Sequence, residues 1–311
     1  MVTRELQSPP HMLGLYARTV APLVPGASRL PFIGGSGGAE IPELTLSLSG
    51  VRAERGRVAA YSRVCGFARS EELPPTYPHV LAFPLHLALM ADGDFPFAAV
   101  GLVHVANRIA QKRPIGLDEL LDVRVHATPL EAHQRGRVFS LVTEARVGRE
   151  LVWRELSTML RRERRAEDGE RQADTPTPLP GPASAEWRLA GDLGRRYAAV
   201  SGDRNPIHMH PLGARALGFP RAIAHGMWTK ARCLAALQYD DAAHGMLSGA
   251  FAVDVRFRRP ILLPATVAFT SALENEAVRF GVRSTTGEHT DHLDGRLQPV
   301  EDIEVEREEA L

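Results

Sequence analysis

Cysteine is nearly absent: the 311 residues include only Cys65 and Cys233. Two isolated thiols match neither a disulfide framework nor the paired ligands of a zinc site, and both read as reduced thiols of a cytoplasmic protein. Net charge is missing as well, because Lys and Arg together number 37 and Asp and Glu together number 37. The chain therefore has no global basic field, and nucleic acid is not expected as a partner. Long hydrophobic runs are lacking too. The most apolar stretch, Val80 to Met90, is broken by Pro84 and His86 and is too short to span a bilayer. The N-terminus carries Arg4 and Glu5 without a long apolar segment ahead of a small-residue cleavage site, so no secretory signal is expected. The 12 histidines are too scattered to form a metal-binding tract.

The chain has ample material for a core, with 44% hydrophobic residues. Its length fits about two domains of ~150 residues. Residues 1–43 read as irregular, with prolines, the flexible loop GGSGG at Gly34 to Gly38, and one apolar stretch, Met12 to Tyr16, able to dock on the body. The period-two alternation from Leu44 predicts a strand, Arg55 to Gly66 a helix, and Tyr77 to Met90 a buried helix that Pro84 would kink if it is continuous. Strand-like runs follow at 97–105, 121–128, 138–147 and 150–160. Residues 161–182 are charged and then rich in Pro and Thr, the composition of a solvated linker between a first unit, 1–160, and a second, 183–311. The second unit reads as helices over 192–200 and 226–239 and strands over 250–257, 265–273 and 277–285, with an acidic end, EDIEVEREEAL.

The restart resembles a diverged repeat. Tyr61 to Gly66 parallels Tyr197 to Gly202, Tyr77-Pro78 parallels Phe219-Pro220, and Arg113-Pro114-Ile115 parallels Arg259-Pro260-Ile261, all in the same order. Where the second copy has Asp203, the first has Phe67.

Chemistry concentrates between Tyr197 and Lys230, where Asp203, Asn205, His208, His210 and His225 stand among small residues and turn formers. Gly202 permits a tight reversal, and Asn205 is pushed out of the helical region by Pro206, so 203–208 reads as a rigid loop on which Asp203 and His208 converge. His210 is expected to cap a short helix from Pro211. Gly226 opens the next helix and leaves backbone N–H groups free for an oxygen bearing negative charge. An acid, an imidazole and exposed N–H donors are what proton transfer beside a thioester carbonyl requires. Each feature also has a plainer reading. Asp-x-Asn-Pro alone is an ordinary Asx turn, His208 is a hydrogen-bonded core residue, and His225 orients the loop or lines the pocket. The His/Asp spacing follows no zinc pattern. Cys233 and Trp228 read as packing, His79, His86 and His104 as structural or pocket-lining, and Lys230 and Arg232 as helix-surface charge or phosphate contacts.

The string Tyr197-Ala-Ala-Val-Ser-Gly-Asp-Arg-Asn-Pro-Ile-His208, with the later Gly218-Phe219-Pro220 and Ile223-Ala-His-Gly-Met227, resembles the signature of the R-specific enoyl-CoA hydratases, the MaoC-like dehydratases. The resemblance covers the second half well and the first half weakly. It implies an α+β fold, a double hot-dog in which two bent antiparallel sheets each wrap a central helix, here with a degenerate first half that shapes the acyl tunnel. It implies reversible dehydration of (3R)-hydroxyacyl thioesters to trans-2-enoyl thioesters, with Asp203 and His208 as catalytic residues. Asn205, Gly226 and His225 would serve substrate binding, with the Gly226 amide facing the thioester carbonyl. The implied substrate handle is CoA or acyl carrier protein, no cofactor or metal is expected, and the chain would act as a monomeric pseudo-dimer or a homodimer. Two other readings stay open: a hot-dog thioesterase, and a non-catalytic acyl-binding subunit.

Overall fold

The computed structural model describes residues 2–20, 40–97, 99, 101–163, 178–286 and 290–303. The expected Gly-rich loop at 34–38, most of the linker and most of the acidic end lie outside the described residues.

The first half contains β1 (Val2–Leu6), α1 (Met12–Val20), β2 (Leu44–Arg52), α2 (Arg55–Cys65), α3 (Tyr77–Met90), β3 (Leu102–Gln111), β4 (Leu120–Ala127), β5 (Glu131–His133), β6 (Gly136–Val147) and β7 (Glu150–Arg162). The second contains β8 (Ala183–Leu189), α4 (Leu193–Ser201), α5 (Pro206–Met209), α6 (Pro211–Ala216), α7 (Gly226–Leu237), α8 (Asp241–Leu247), β9 (Phe251–Phe257), β10 (Ala265–Glu274), β11 (Ala277–Ser284) and β12 (Asp291–Pro299).

The sheet order is β1-β2-β4-β6-β7-β3-β9-β12-β11-β10-β8. Taken from its outer edge, each half runs first, third, fourth, fifth and second of its five main strands, and the halves meet where β3 pairs antiparallel with β9. This is the duplication predicted from the repeat. The matched segments end α2 and α4 alike, with Gly66 at φ +86° and Gly202 at φ +80°, a left-handed turn that glycine adopts without strain. The Tyr61 and Tyr197 rings lie 6.0 Å apart, so the two copies pack on each other.

Both central helices are apolar nearly all round, the pattern of helices enclosed by sheet. In α3, Ala82, Leu85 and Leu89 are fully buried, and in α7 so are Ala231, Cys233 and Leu234. With their sheets they make a double hot-dog. Trp228 is core, and its Nε1–H donates to the Val64 carbonyl across the two halves at 3.0 Å. Both cysteines are free and buried, and burial pushes their thiols up.

Several expectations need correction. The strand expected over 97–105 is β3, which starts at Leu102 and continues to Gln111. The preceding apolar residues instead pack a turn, with the Phe95 ring 5.4 Å from Phe97 and 5.5 Å from Phe139. The loop expected over 203–208 becomes the one-turn helix α5 from Pro206, because Pro206 suits a first helical position and the Asn205 side chain accepts from the Ile207 amide. The helix expected over Tyr77 to Met90 needs none: α3 has those bounds and is continuous through Pro84. The strand β7 runs on through Arg161 and Arg162, which the linker was expected to include.

Candidate active site

Asp203 follows the Gly202 turn. Its Oδ1 accepts from the Asn205 amide at 3.1 Å, the Asx turn expected from the sequence, and Asn205 Oδ1 in turn caps α5. One turn of α5 then carries His208 inward to 9% exposure. Its depth depends on Gly194 in α4, where a Cβ would lie 2.0 Å from the His208 carbonyl oxygen. His208 Nδ1–H donates to the Ile223 carbonyl at 2.8 Å, so Nε2 is the nitrogen left for chemistry. His210 accepts from the Leu212 amide and caps α6, as expected.

His225, at 2% exposure, supports both groups. Its ring stacks on His208 with centroids 3.7 Å apart, and its Nε2–H donates to the Asp203 backbone carbonyl at 3.0 Å. The same nitrogen is 3.8 Å from Asp203 Oδ2. Gly226 is the first residue of α7 and lines the same cavity, where its N–H belongs to the helix's unsatisfied first turn. The five residues singled out from the sequence, Asp203, Asn205, His208, His225 and Gly226, therefore meet at one cavity of about 290 Å³.

The electrostatics suit proton traffic. Burial opposes ionisation of Asp203, but His225, His208 and the Asn205 amide outweigh it and hold the carboxyl below its usual range. Burial lowers the pKa of His208, which keeps the imidazole neutral, and burial with His208 alongside brings His225 down to about 3. An ionised carboxylate thus faces a neutral imidazole. Asp203, His208 and His225 have ligand-type atoms within 4.8 Å of one another, as do His79, His86 and Glu155. In each histidine of the two groups one ring nitrogen is engaged by a hydrogen bond: His208 to Ile223, His225 to Asp203, His79 to Glu155 and His86 to Thr143.

Three features of the site were not legible. Tyr16 on α1 donates its O–H to the Gly202 carbonyl at 2.9 Å and accepts from the Arg204 amide at 2.7 Å, bracketing Asp203. Only the apolar stretch from Met12 hinted that this segment docks. Glu155 is fully buried, and its one signal was an acid in the middle of a strand-like run, beside Arg154. Lys230 is neither surface charge nor a phosphate contact: it is 0% exposed, and burial lowers its pKa to about 7. Arg232 lies over the Trp187 ring at 4.6 Å. The first half builds the rest of the cavity, with Leu87, Met90, Leu141 and Met159 as apolar wall.

A family model described as a MaoC like domain matches residues 183–293. The 3-hydroxyacyl-thioester dehydratase X of Mycobacterium tuberculosis is 39% identical over 230 residues, 73% of this chain and 79% of that protein. A crystal structure of HtdX from the same organism superposes with a TM-score of 0.72 at 34% identity, covering 82% of this chain and 100% of that one. A MaoC-like dehydratase from Phytophthora capsici shares the fold, with a TM-score of 0.66 at 16% identity over 84% of this chain and 97% of its own.

Proposed function

The chain belongs to the family of MaoC-like dehydratases, and from that premise we propose that it interconverts (3R)-hydroxyacyl thioesters and trans-2-enoyl thioesters in fatty-acid metabolism. The observation that carries the reading is geometric: Asp203 and His208 line one cavity, and the Ile223 carbonyl holds His208 Nδ1, which leaves Nε2 for chemistry.

In the hydration direction water adds its oxygen to the β-carbon and a proton to the α-carbon. Asp203 and His208 hold the water between them and, as one coupled pair, take one proton from it and deliver one to the α-carbon, while the other stays on the new hydroxyl. Negative charge gathers on the thioester oxygen as the water oxygen adds to the β-carbon and is discharged when the α-carbon takes its proton, and the Gly226 N–H stabilises it, an effect worth about 3 kcal/mol per donor. Dehydration retraces these steps. Asn205 holds the loop through its cap, and His225 holds both catalytic groups.

The organisation we infer is a degenerate first unit that ends with β7 at Arg162, a linker over 163–182, and a catalytic second unit, 183–311. Phe67 stands where the acid would be and packs on Tyr61, which supports a single site. The fused pair already contains the contact that two separate hot-dogs would make, and the chain works as a monomer or a homodimer. The thioester arrives on CoA or acyl carrier protein in the cytoplasm. Among the described residues no helix is long and apolar enough to cross a membrane.

The test follows absorbance of crotonyl-CoA and longer trans-2-enoyl-CoA substrates while free thiol is titrated in the same samples. Loss of enoyl absorbance without thiol release is expected. Thiol release would identify a thioesterase, and binding without turnover of CoA or carrier-protein substrates would identify a binding subunit.

A further inference from the structure

The cavity has a second polar wall, built by the half that lacks the acid. On α3, His79, Phe83, His86, Leu87 and Met90 fall on one face and line the cavity. His79 Nδ1–H donates to Glu155 on β7, 2.9 Å from each carboxylate oxygen. Glu155 takes a second bond from Asn107 Nδ2 at 2.7 Å. Asn107 Oδ1 accepts from Lys230 Nζ at 2.5 Å, and Lys230 also donates to the carbonyls of Asn107 and Val253. An acid and an amine, both 0% exposed, are thus joined across the β3–β9 seam, from α7 of one half to α3 of the other.

Apolar side chains of similar volume commonly serve a core as well as buried charges do, so stability alone is a weak reason for such a chain of contacts. It ends on an imidazole in the cavity wall. Glu155 fixes Nδ1 as the donor nitrogen, which leaves Nε2 as the ring nitrogen for the cavity, the same orientation device that a carboxylate gives a ligand or catalytic histidine. The wall also adjoins the reacting groups. A Cβ on Gly202 would be 3.9 Å from Phe83 Cδ1, so this face of α3 abuts the turn that carries Asp203.

We propose that His79 is a further substrate-contacting residue, hydrogen-bonding the β-oxygen of the hydroxyacyl thioester through Nε2, with Glu155 as its positioning residue. The inference rests on the dehydratase reading. His79 holds the oxygen, and proton transfer stays with Asp203 and His208.

The experiment uses the full chain in an Asp203→Asn background, which halts turnover, and measures by calorimetry the binding of a (3R)-3-hydroxyacyl-CoA and of the saturated acyl-CoA of equal length. Adding His79→Phe is expected to cut the preference for the hydroxylated ligand by about tenfold, one lost hydrogen bond in a buried site, with saturated-ligand affinity unchanged. Adding His79→Gln, which keeps a polar end, should restore part of the preference, and Glu155→Gln should weaken it. In parallel, His79→Phe in the otherwise wild-type chain should lower kcat/KM for hydration. An unchanged preference and a kcat/KM within twofold of wild type, in folded variants, would overturn the inference and leave the dehydratase reading standing. Stoichiometric metal in the wild-type chain that disappears in Glu155→Gln would overturn it in favour of a metal centre at His79, His86 and Glu155. Absence of wild-type turnover on any thioester would instead overturn the dehydratase reading itself.

Discussion

At Asp203 two effects oppose each other: burial disfavours the carboxylate, and His225, His208 and a backbone amide favour it. The second set wins, which gives the loop an acceptor for protons at neutral pH. Asp203→Asn and His208→Ala should each lower kcat by about 10²–10⁴-fold, the usual worth of a positioned acid or base, with melting temperature as the control for folding. Gly194→Ala should act at a distance, because its Cβ meets the His208 carbonyl oxygen at 2.0 Å. The backbone has to shift, costing on the order of 1–3 kcal/mol in a denaturant titration and lowering kcat through a displaced His208. The residues of the Asp-to-His loop were legible because Gly, Asn-Pro and His at fixed spacing leave a local signature. Glu155 and Lys230 were not, because nothing local in their sequence says that a buried charge has a partner far along the chain, 76 residues away for Glu155 in His79 and 123 for Lys230 in Asn107.

Among the elements, α1 and α3 were read least fully. The expected docking segment is a helix whose Tyr16 hydroxyl joins the peptide groups on either side of Asp203. Tyr16→Phe removes both bonds and should lower kcat severalfold while leaving the melting temperature nearly unchanged, since the ring still packs. The helix α3 was expected as a buried helix, yet one face of it is cavity wall. Its periodicity is masked because the cavity is lined by the same apolar residue types as the core. The wall predicts chain-length control. Met90→Trp fills the apolar part of the cavity and should reduce kcat/KM for the longest accepted enoyl-CoA by about tenfold or more, with crotonyl-CoA little affected, in a series of acyl lengths.

For the whole molecule, the duplication was legible because both copies keep a Tyr-to-Gly helix end and an Arg-Pro-Ile strand exit, at which Ile115 and Ile261 are both buried. The seam between β3 and β9 was not, because strand pairing between distant edges leaves no local pattern. Burial holds His86, His104 and His225 each at about 3. In the unfolded chain they titrate near ~6.5, so below that pH the unfolded state binds protons that the folded state does not. Stability should fall from pH 8 to 7 through Lys230, whose pKa burial lowers to about 7, and fall further through the histidines as pH drops from ~6.5 towards 3, by up to about 1.4 kcal/mol per unit for each group. Thermal melts at pH 8, 7, 6 and 5 check this, and a melting temperature unchanged down to pH 5 would contradict it. The central claim, that Asp203 and His208 of the second half perform a stereospecific hydration, is tested most directly by the product that wild type, Asp203→Asn and His208→Ala form from crotonyl-CoA. The wild type should form (3R)-3-hydroxybutyryl-CoA and either folded variant almost none; the S product, or undiminished turnover in the variants, would rule this chemistry out.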